Sequence, residues 1–226
     1  MYYYLAQHLA CGFAIIRSHI VIAGHHLIWT TYGYWLPNDP RGSMSLEIRN
    51  AAIKDLGELH YGRKRIQPTG RVLREFHEAA QTLLKHSLLT FSEEEVEVIA
   101  ASFNDAIRQH NYTCYACAVM PDHVHLLIRK HRDQAETMIE HLQEESRKAV
   151  LKLSRRELDH PVWGGPGWKV YLETRDDMAR TATYIEKNRL KAGLPSQSWP
   201  FVKKYDGWLP GQVTIVRKSK LRPKDS

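Results

Sequence analysis

Two pairs of side chains have the types and spacing for chemistry. His123 and His125 lie in the run Met120-Pro121-Asp122-His123-Val124-His125-Leu126-Leu127-Ile128. The neighbours Val124, Leu126, Leu127 and Ile128 favour a strand, and Pro121 suits its first position, where a missing N–H matters least. Alternate residues of a strand point to opposite faces, so the two imidazoles share one face while Val124 and Leu126 turn to the other. Such a pair can ligate a divalent cation; on a solvated strand it can equally bind nothing.

The second pair, Tyr184 and Asn188, lies in the stretch Thr174–Leu194, which reads as a helix. Thr174 caps the first turn with Asp177 three residues on, and Gly193 suits the left-handed position after the last turn. Four residues apart, the phenol and the amide project from one face, with Arg180, Lys187 and Lys191 nearby. Taken alone, this is equally a surface helix whose tyrosine packs on its neighbours and whose cations are merely solvated.

The string from Val119 to Ile128, followed by Tyr184-Ile185-x-x-Asn188 and Lys191-Ala192-Gly193-Leu194, resembles the Y1 (HUH) tyrosine transposases of the IS200/IS605 type. It is most similar to their REP-associated relatives. The early blocks His25-His26-Leu27-Ile28-Trp29-Thr30-Thr31-Tyr32-Gly33 and Trp35-Leu36-Pro37-Asn38-Asp39-Pro40-Arg41-Gly42 resemble the opening strand and loop of many such proteins. The resemblance implies that His123 and His125 are metal ligands, that Tyr184 is the nucleophile and that Asn188 is the third ligand. Many insertion-sequence members carry Gln near that last position, so Asn188 points to the REP-associated branch. The implied activity is cleavage and strand transfer of single-stranded DNA at palindromic hairpins, through a 5′-phosphotyrosine. Mg²⁺ or Mn²⁺ is the expected ion, because an amide oxygen and phosphate oxygens are hard ligands and no thiolate joins the set.

The elements that must position these groups follow from periodicity. His25 to Tyr32 forms a first strand, and a long insertion over about 34–91 contains Arg63-Lys64-Arg65 and a helix with Leu73, Phe76, Ala80, Leu83 and Leu84 on its apolar stripe. Ser92 and Glu95 form a capping box for a helix burying Val96, Ile99, Phe103 and Ile107. A strand over Tyr112–Met120 pairs as a hairpin with the histidine strand. A helix to about Arg156 then buries Ile139, Leu142, Ala149 and Leu153. Gly164-Gly165-Pro166-Gly167 reads as a loop lacking the Lys-Ser/Thr of a phosphate-binding motif, and Trp168–Leu172 as a short strand. The fold class is α+β: a ferredoxin-like βαββαβ antiparallel sheet with an added C-terminal helix carrying the tyrosine and a long insertion after the first strand.

The expected organisation is an extension over 1–24, a nuclease domain over 25–210 and a basic tail over 211–226. The net charge of +7 is uneven: residues 151–226 hold 16 Lys+Arg against 8 Asp+Glu, whereas residues 1–150 hold 16 against 17. A polyanion is the expected partner of the basic part, with Arg180, Lys187, Lys191, Arg63, Lys64, Arg65, Lys203 and Lys204 as candidate DNA contacts. Trp199, Phe201, Tyr205 and Trp208 among cations suit stacking of single-stranded bases, or else pin the tail to the domain. A non-catalytic nucleic-acid-binding module or a domesticated repressor is the competing reading.

The sparse, odd-numbered cysteines Cys11, Cys114 and Cys117 fit a reducing cytoplasm. A spacing of three in a strand sends Cys114 and Cys117 to opposite faces, which argues for buried thiols and against a metal or redox pair. The segment Leu5–Ala23 is interrupted by Gln7, His8, Arg17 and His19, so no membrane partner is expected. His131 and His141 read as surface histidines. A monomer and a homodimer are both compatible with the resemblance.

Overall fold

The computed structural model describes residues 21–154 and 159–211. The expectations for most of the 1–24 extension, for the basic tail after Gly211, for Cys11 and for a helix end near Arg156 lie outside these residues. Four strands, β1 (Gly24–Thr31), β2 (Cys114–Val119), β3 (His123–Arg129) and β4 (Trp163–Leu172), form one sheet in the order β2-β3-β1-β4. Every neighbouring pair is antiparallel, which with the helix order gives the expected ferredoxin-like plan. Helices α1 (Gly70–Leu83), α2 (Glu93–His110), α3 (Ala135–Ser154), α4 (Arg175–Glu186) and α5 (Asn188–Lys191) complete it, with a short 3₁₀ helix at Ala51–Leu56.

Alternation divides the sheet between two cores. Leu27 and Trp29 of β1 and Val124, Leu126 and Ile128 of β3 face α2 and α3, where Val96, Ile99, Phe103, Met138, Ile139 and Leu142 close the main core. The opposite face carries Ala116, Ala118 and Leu127, covered by Met178, Ala182 and Ile185 of α4. Gly24 lets α4 lie close over β1, since a Cβ there would stand 2.7 Å from the Met178 side chain and 2.8 Å from the Ile128 carbonyl.

Caps form where the sequence places them. Ser92 and Glu95 exchange both capping-box bonds, and Thr174 accepts from the Asp177 N–H. Within α3 the buried stripe runs through Ser146 and Val150; Ala149 and Leu153 are only half-buried. Ser146 fits the core because its hydroxyl donates to the Leu142 carbonyl at 2.6 Å and receives the Trp163 indole N–H at 3.0 Å. Leu36, Ile53, Phe76 and Ala80 give the insertion its own small apolar cluster.

Three local expectations are corrected. Met120–Asp122 is a tight turn, not the start of the strand: the Met120 N–H donates to the His123 carbonyl at 2.8 Å, so Pro121 occupies the turn. Cys114 and Cys117 face the same core, because a register shift between Cys114 and Ala116 inserts Tyr115 as an extra residue. Both thiols are buried and unbridged, and burial pushes Cys114 up to about 12, so their structural role stands on a different ground. Finally, β4 begins at Trp163 and runs through the glycine-rich segment, with a second register shift between Ile28 and Thr30. Gly165 and Gly167 make this possible by taking φ of +67° and +73°.

His25, 1% exposed beneath Tyr171, has no hydrogen-bond partner on either ring nitrogen. Burial and then the Lys130 charge lower its pKa to about 4, partly opposed by Glu136. The unfolded chain therefore binds the proton first, and the neutral form's stability is complete above pH 6.5 and lost as pH falls from there toward 4. Replacing His25 by Leu is expected to remove about 2 kcal/mol of this loss at pH 5. Urea denaturation of both proteins at pH 7.5 and pH 5 checks it; equal acid losses would exclude the assignment.

Candidate active site

The histidines and the tyrosine meet on the α4 face of the sheet. His123 and His125 share that face as alternation requires, with ring centroids 4.9 Å apart. In α4 the buried residues Met178, Ala182 and Ile185 mark the stripe against the sheet. Tyr184 lies about 100° around the helix from Ile185, at the edge of that stripe. Its ring sits 5.7 Å from His125 and 6.0 Å from His26, and it remains 44% exposed. A reacting group so placed touches the site and is reachable from solvent.

His26 is the member that sequence reasoning missed. Strand register decides its inclusion: His26 pairs with Leu127 and Ile28 with His125, so His26 shares the face of His125 while His25 turns to the opposite core. The Nε2 of His26 and the Nδ1 of His125 share a hydrogen bond of 2.9 Å. On the neighbouring ring, Nδ1 of His123 is 2.6 Å from the Asp122 carboxylate. With both Nδ1 atoms donating, Nε2 of His123 and of His125 keep free lone pairs, the tautomer a metal-ligating histidine needs.

Burial keeps two of the three rings neutral. Burial lowers His26 to about 4, and burial, His123 and His26 together hold His125 well below its usual range. Burial pushes the Asp122 carboxyl up, but the hydrogen bond and charge of His123, with help from Arg41, outweigh it and hold the carboxyl below its usual range. At neutral pH His26 and His125 are uncharged. Arg41 belongs to the loop after β1, which the structure thereby brings near the site; its guanidinium also stands 5.6 Å from the Trp35 ring and is fastened to Asp39.

The helix expected over 174–194 breaks at Lys187, whose N–H bonds back to Thr183 and Ile185. Tyr184 precedes the break and Asn188 opens α5, so they do not share one uninterrupted helical face. Asn188 is half-buried, and its amide nitrogen has no hydrogen-bond partner. Just after the break stands Arg189, only 2% exposed. Arg189 donates to the carbonyls of Pro195 (2.8 Å) and Val119 (3.0 Å) and grips both Glu93 oxygens (2.9 and 3.1 Å), which fastens α5 to the end of β2.

The predicted cations fall into different settings. Lys191 Nζ stands 5.0 Å from the centre of the Tyr184 ring, and Lys187 is exposed beside it. Arg180 is held by Asp177. Arg63, Lys64 and Arg65 are exposed on the insertion, and Lys203 and Lys204 are exposed beyond Val202. The aromatics near them pin the chain to the domain: Phe201 is buried in the main core with Trp199 against it, Tyr205 packs edge-on to Tyr115, and Arg129 covers the Trp208 ring at 3.4 Å. Among the described residues no helix is long and apolar enough to cross a membrane.

Residues 80–188 match the family model described as IS200-like transposase. Among solved structures, the chain is similar to a REP-associated tyrosine transposase bound to a REP hairpin, at 12% identity and a TM-score of 0.42, over 82% of this chain and 78% of that one. It is also similar to a transposase candidate from Deinococcus radiodurans R1, at 16% identity and a TM-score of 0.37, over 76% and 94%. No curated protein matches it.

Proposed function

We propose that this chain, whose residues 80–188 match the family model described as IS200-like transposase, is a transposase of that family and cuts and rejoins single-stranded DNA through a phosphotyrosine formed on Tyr184. The observation that carries this reading is the meeting of an exposed tyrosine with the ring of His125, 5.7 Å away, on the face that also bears His123. The proposed nuclease domain spans 25–210, and hairpins of palindromic repeats are the proposed substrate.

His123, His125 and Asn188 would hold the Mg²⁺ or Mn²⁺ ion. Their state fits that role: two imidazoles anchored through Nδ1 with Nε2 free, and an amide buried without a partner, whose oxygen and nitrogen can exchange places by a flip. When bound, such an ion supplies Lewis-acid polarisation of a scissile phosphate. Tyr184 contributes the nucleophile: its oxygen bonds to phosphorus as the bond to the 3′ oxygen breaks, and the phenol proton is balanced by the one the 3′ oxygen takes up. The product is a 5′-phosphotyrosine and a free 3′-OH, which keeps the bond available for rejoining. Lys191 and Lys187 favour the approach of the phosphate, while Arg63, Lys64, Arg65, Lys203 and Lys204 are proposed to track the DNA backbone. Arg180, already paired with Asp177, is the weakest of these contacts.

The test is covalent trapping. Labelled single-stranded hairpins from the repeats flanking the gene are incubated with the protein and Mn²⁺, then run on a denaturing gel. A protein–DNA band that disappears with EDTA is expected; hairpin binding without any such band would make the chain a DNA-binding module instead. His26 acts here as a positioning residue, so His26→Leu is expected to weaken Mn²⁺ binding about 10–100-fold by freeing the His125 ring. Mn²⁺ titration of wild type, His26→Leu and His26→Gln checks it, with Gln retaining part of the affinity. Unchanged affinity in His26→Leu would remove the positioning role.

A further inference from the structure

At the other end of the β2–β3 hairpin, away from Tyr184, a second group of donors converges from three elements. His110 is the last residue of α2, Asp133 lies in the loop after β3, and His141 stands in the first half of α3. One ligand atom from each lies within 4.8 Å of the others. We propose that His110, Asp133 and His141 form a second metal site, for a first-row divalent ion of the zinc class, independent of the tyrosine site.

The hydrogen bonds around the group set its protonation in favour of ligation. Tyr112 donates its hydroxyl proton to Asp133 Oδ2 at 2.9 Å, and the Tyr112 hydroxyl oxygen stands 2.8 Å from His141 Nδ1. With its proton committed to Asp133, the phenol oxygen accepts from His141 Nδ1–H, which leaves the lone pair of His141 on Nε2. The chain imidazole–phenol–carboxylate is an outer-shell arrangement that fixes both ligands, although Tyr112 itself need not touch the ion. His131 braces the loop by accepting the Asp133 N–H at 3.2 Å and packing edge-on to Tyr112.

His110 and His141 stack face to face, with ring centroids 3.7 Å apart and planes 11° from parallel. The stack brings the donors of α2 and α3 side by side, so that one ion can draw on both rings. The stack also stands at the C-terminal end of α2, where the helix dipole favours positive charge. Two nitrogens and one carboxylate oxygen suit zinc, which takes ligands at about 2.0–2.2 Å and leaves a fourth position for water. The half-buried donors need to close by about 1 Å through side-chain rotation to meet that geometry. An ion here would staple the end of α2 to α3, on the layer opposite α4.

The chain has 13 histidines, so the test must remove the competing pair. Zn²⁺ is titrated calorimetrically into the full chain carrying His123→Ala and His125→Ala. Binding with an apparent Tm rise of roughly 5–10 °C at a hundredfold excess over Kd is expected. Adding His141→Ala or His110→Ala should each weaken that binding at least 100-fold, and Tyr112→Phe about 10–100-fold. His110→Ala, at a helix end, keeps the test interpretable if His141→Ala fails to fold by circular dichroism. No zinc binding in the double variant, or binding that both His110→Ala and His141→Ala leave unchanged, would overturn the site.

Discussion

Tyr184→Phe is expected to abolish the covalent protein–DNA adduct and to lower strand cleavage by roughly 10⁴-fold or more, because it removes the oxygen proposed to bond to phosphorus. The substitution removes one hydroxyl from a residue that is 44% exposed, so the fold and its stability should change little. Hairpin affinity and Mn²⁺ binding should likewise persist, since the histidine pair and the surface cations are untouched. Single-turnover cleavage and a denaturing gel, with wild type and variant side by side, measure the effect. A residual adduct at more than about one part in a hundred of wild type would mean that another residue is the nucleophile.

The second large effect lies outside the chemistry. Arg189→Ala is expected to destabilise the protein by about 2–4 kcal/mol, since it strips a charged donor from the buried carbonyls of Pro195 and Val119 and leaves the space of a long side chain. The exposed half of the arrangement contributes little: Glu93 is 66% exposed, so Glu93→Gln should cost less than about 1 kcal/mol. Lys in place of Arg189 could reach one of these partners but not fan across all three, and should recover less than half of the loss. Chemical denaturation ranks the three variants; an Arg189→Ala protein within about 0.5 kcal/mol of wild type would contradict the account. Val119 ends β2 and leads through the turn to Asp122 and His123, so Arg189 ties the histidine hairpin to the helix that presents Tyr184. Adduct formation is therefore expected to fall along with stability in Arg189→Ala.

These two residues differ in how far the sequence reveals them. Tyr184 is found by its distance from a helix cap and from Asn188, and by motif. Arg189 is one more cation on a basic helix until the structure turns it inward. The same holds for His110, Asp133 and His141, which are 31 residues apart at the extremes and carry no shared spacing. A signal for them was present only in part, in the cluster of His131, Asp133 and His141 around one loop and helix start.

What the sequence determined by itself is local. Strand alternation put His123 and His125 on one face, helical periodicity marked the stripe of α2, and Ser92, Glu95 and Thr174 closed the starts of α2 and α4. Each depends on contacts within a few residues, so a pattern read along the chain suffices. Tertiary structure decided what depends on how distant segments align. The pairing of β1 with β3 selected His26 over His25, a one-residue bulge at Tyr115 turned Cys114 and Cys117 to the same core, and Arg189 was turned inward to the Val119 carbonyl. Shifting a strand by one residue exchanges its two faces, and neither a register nor a bulge leaves a periodic trace in either strand alone.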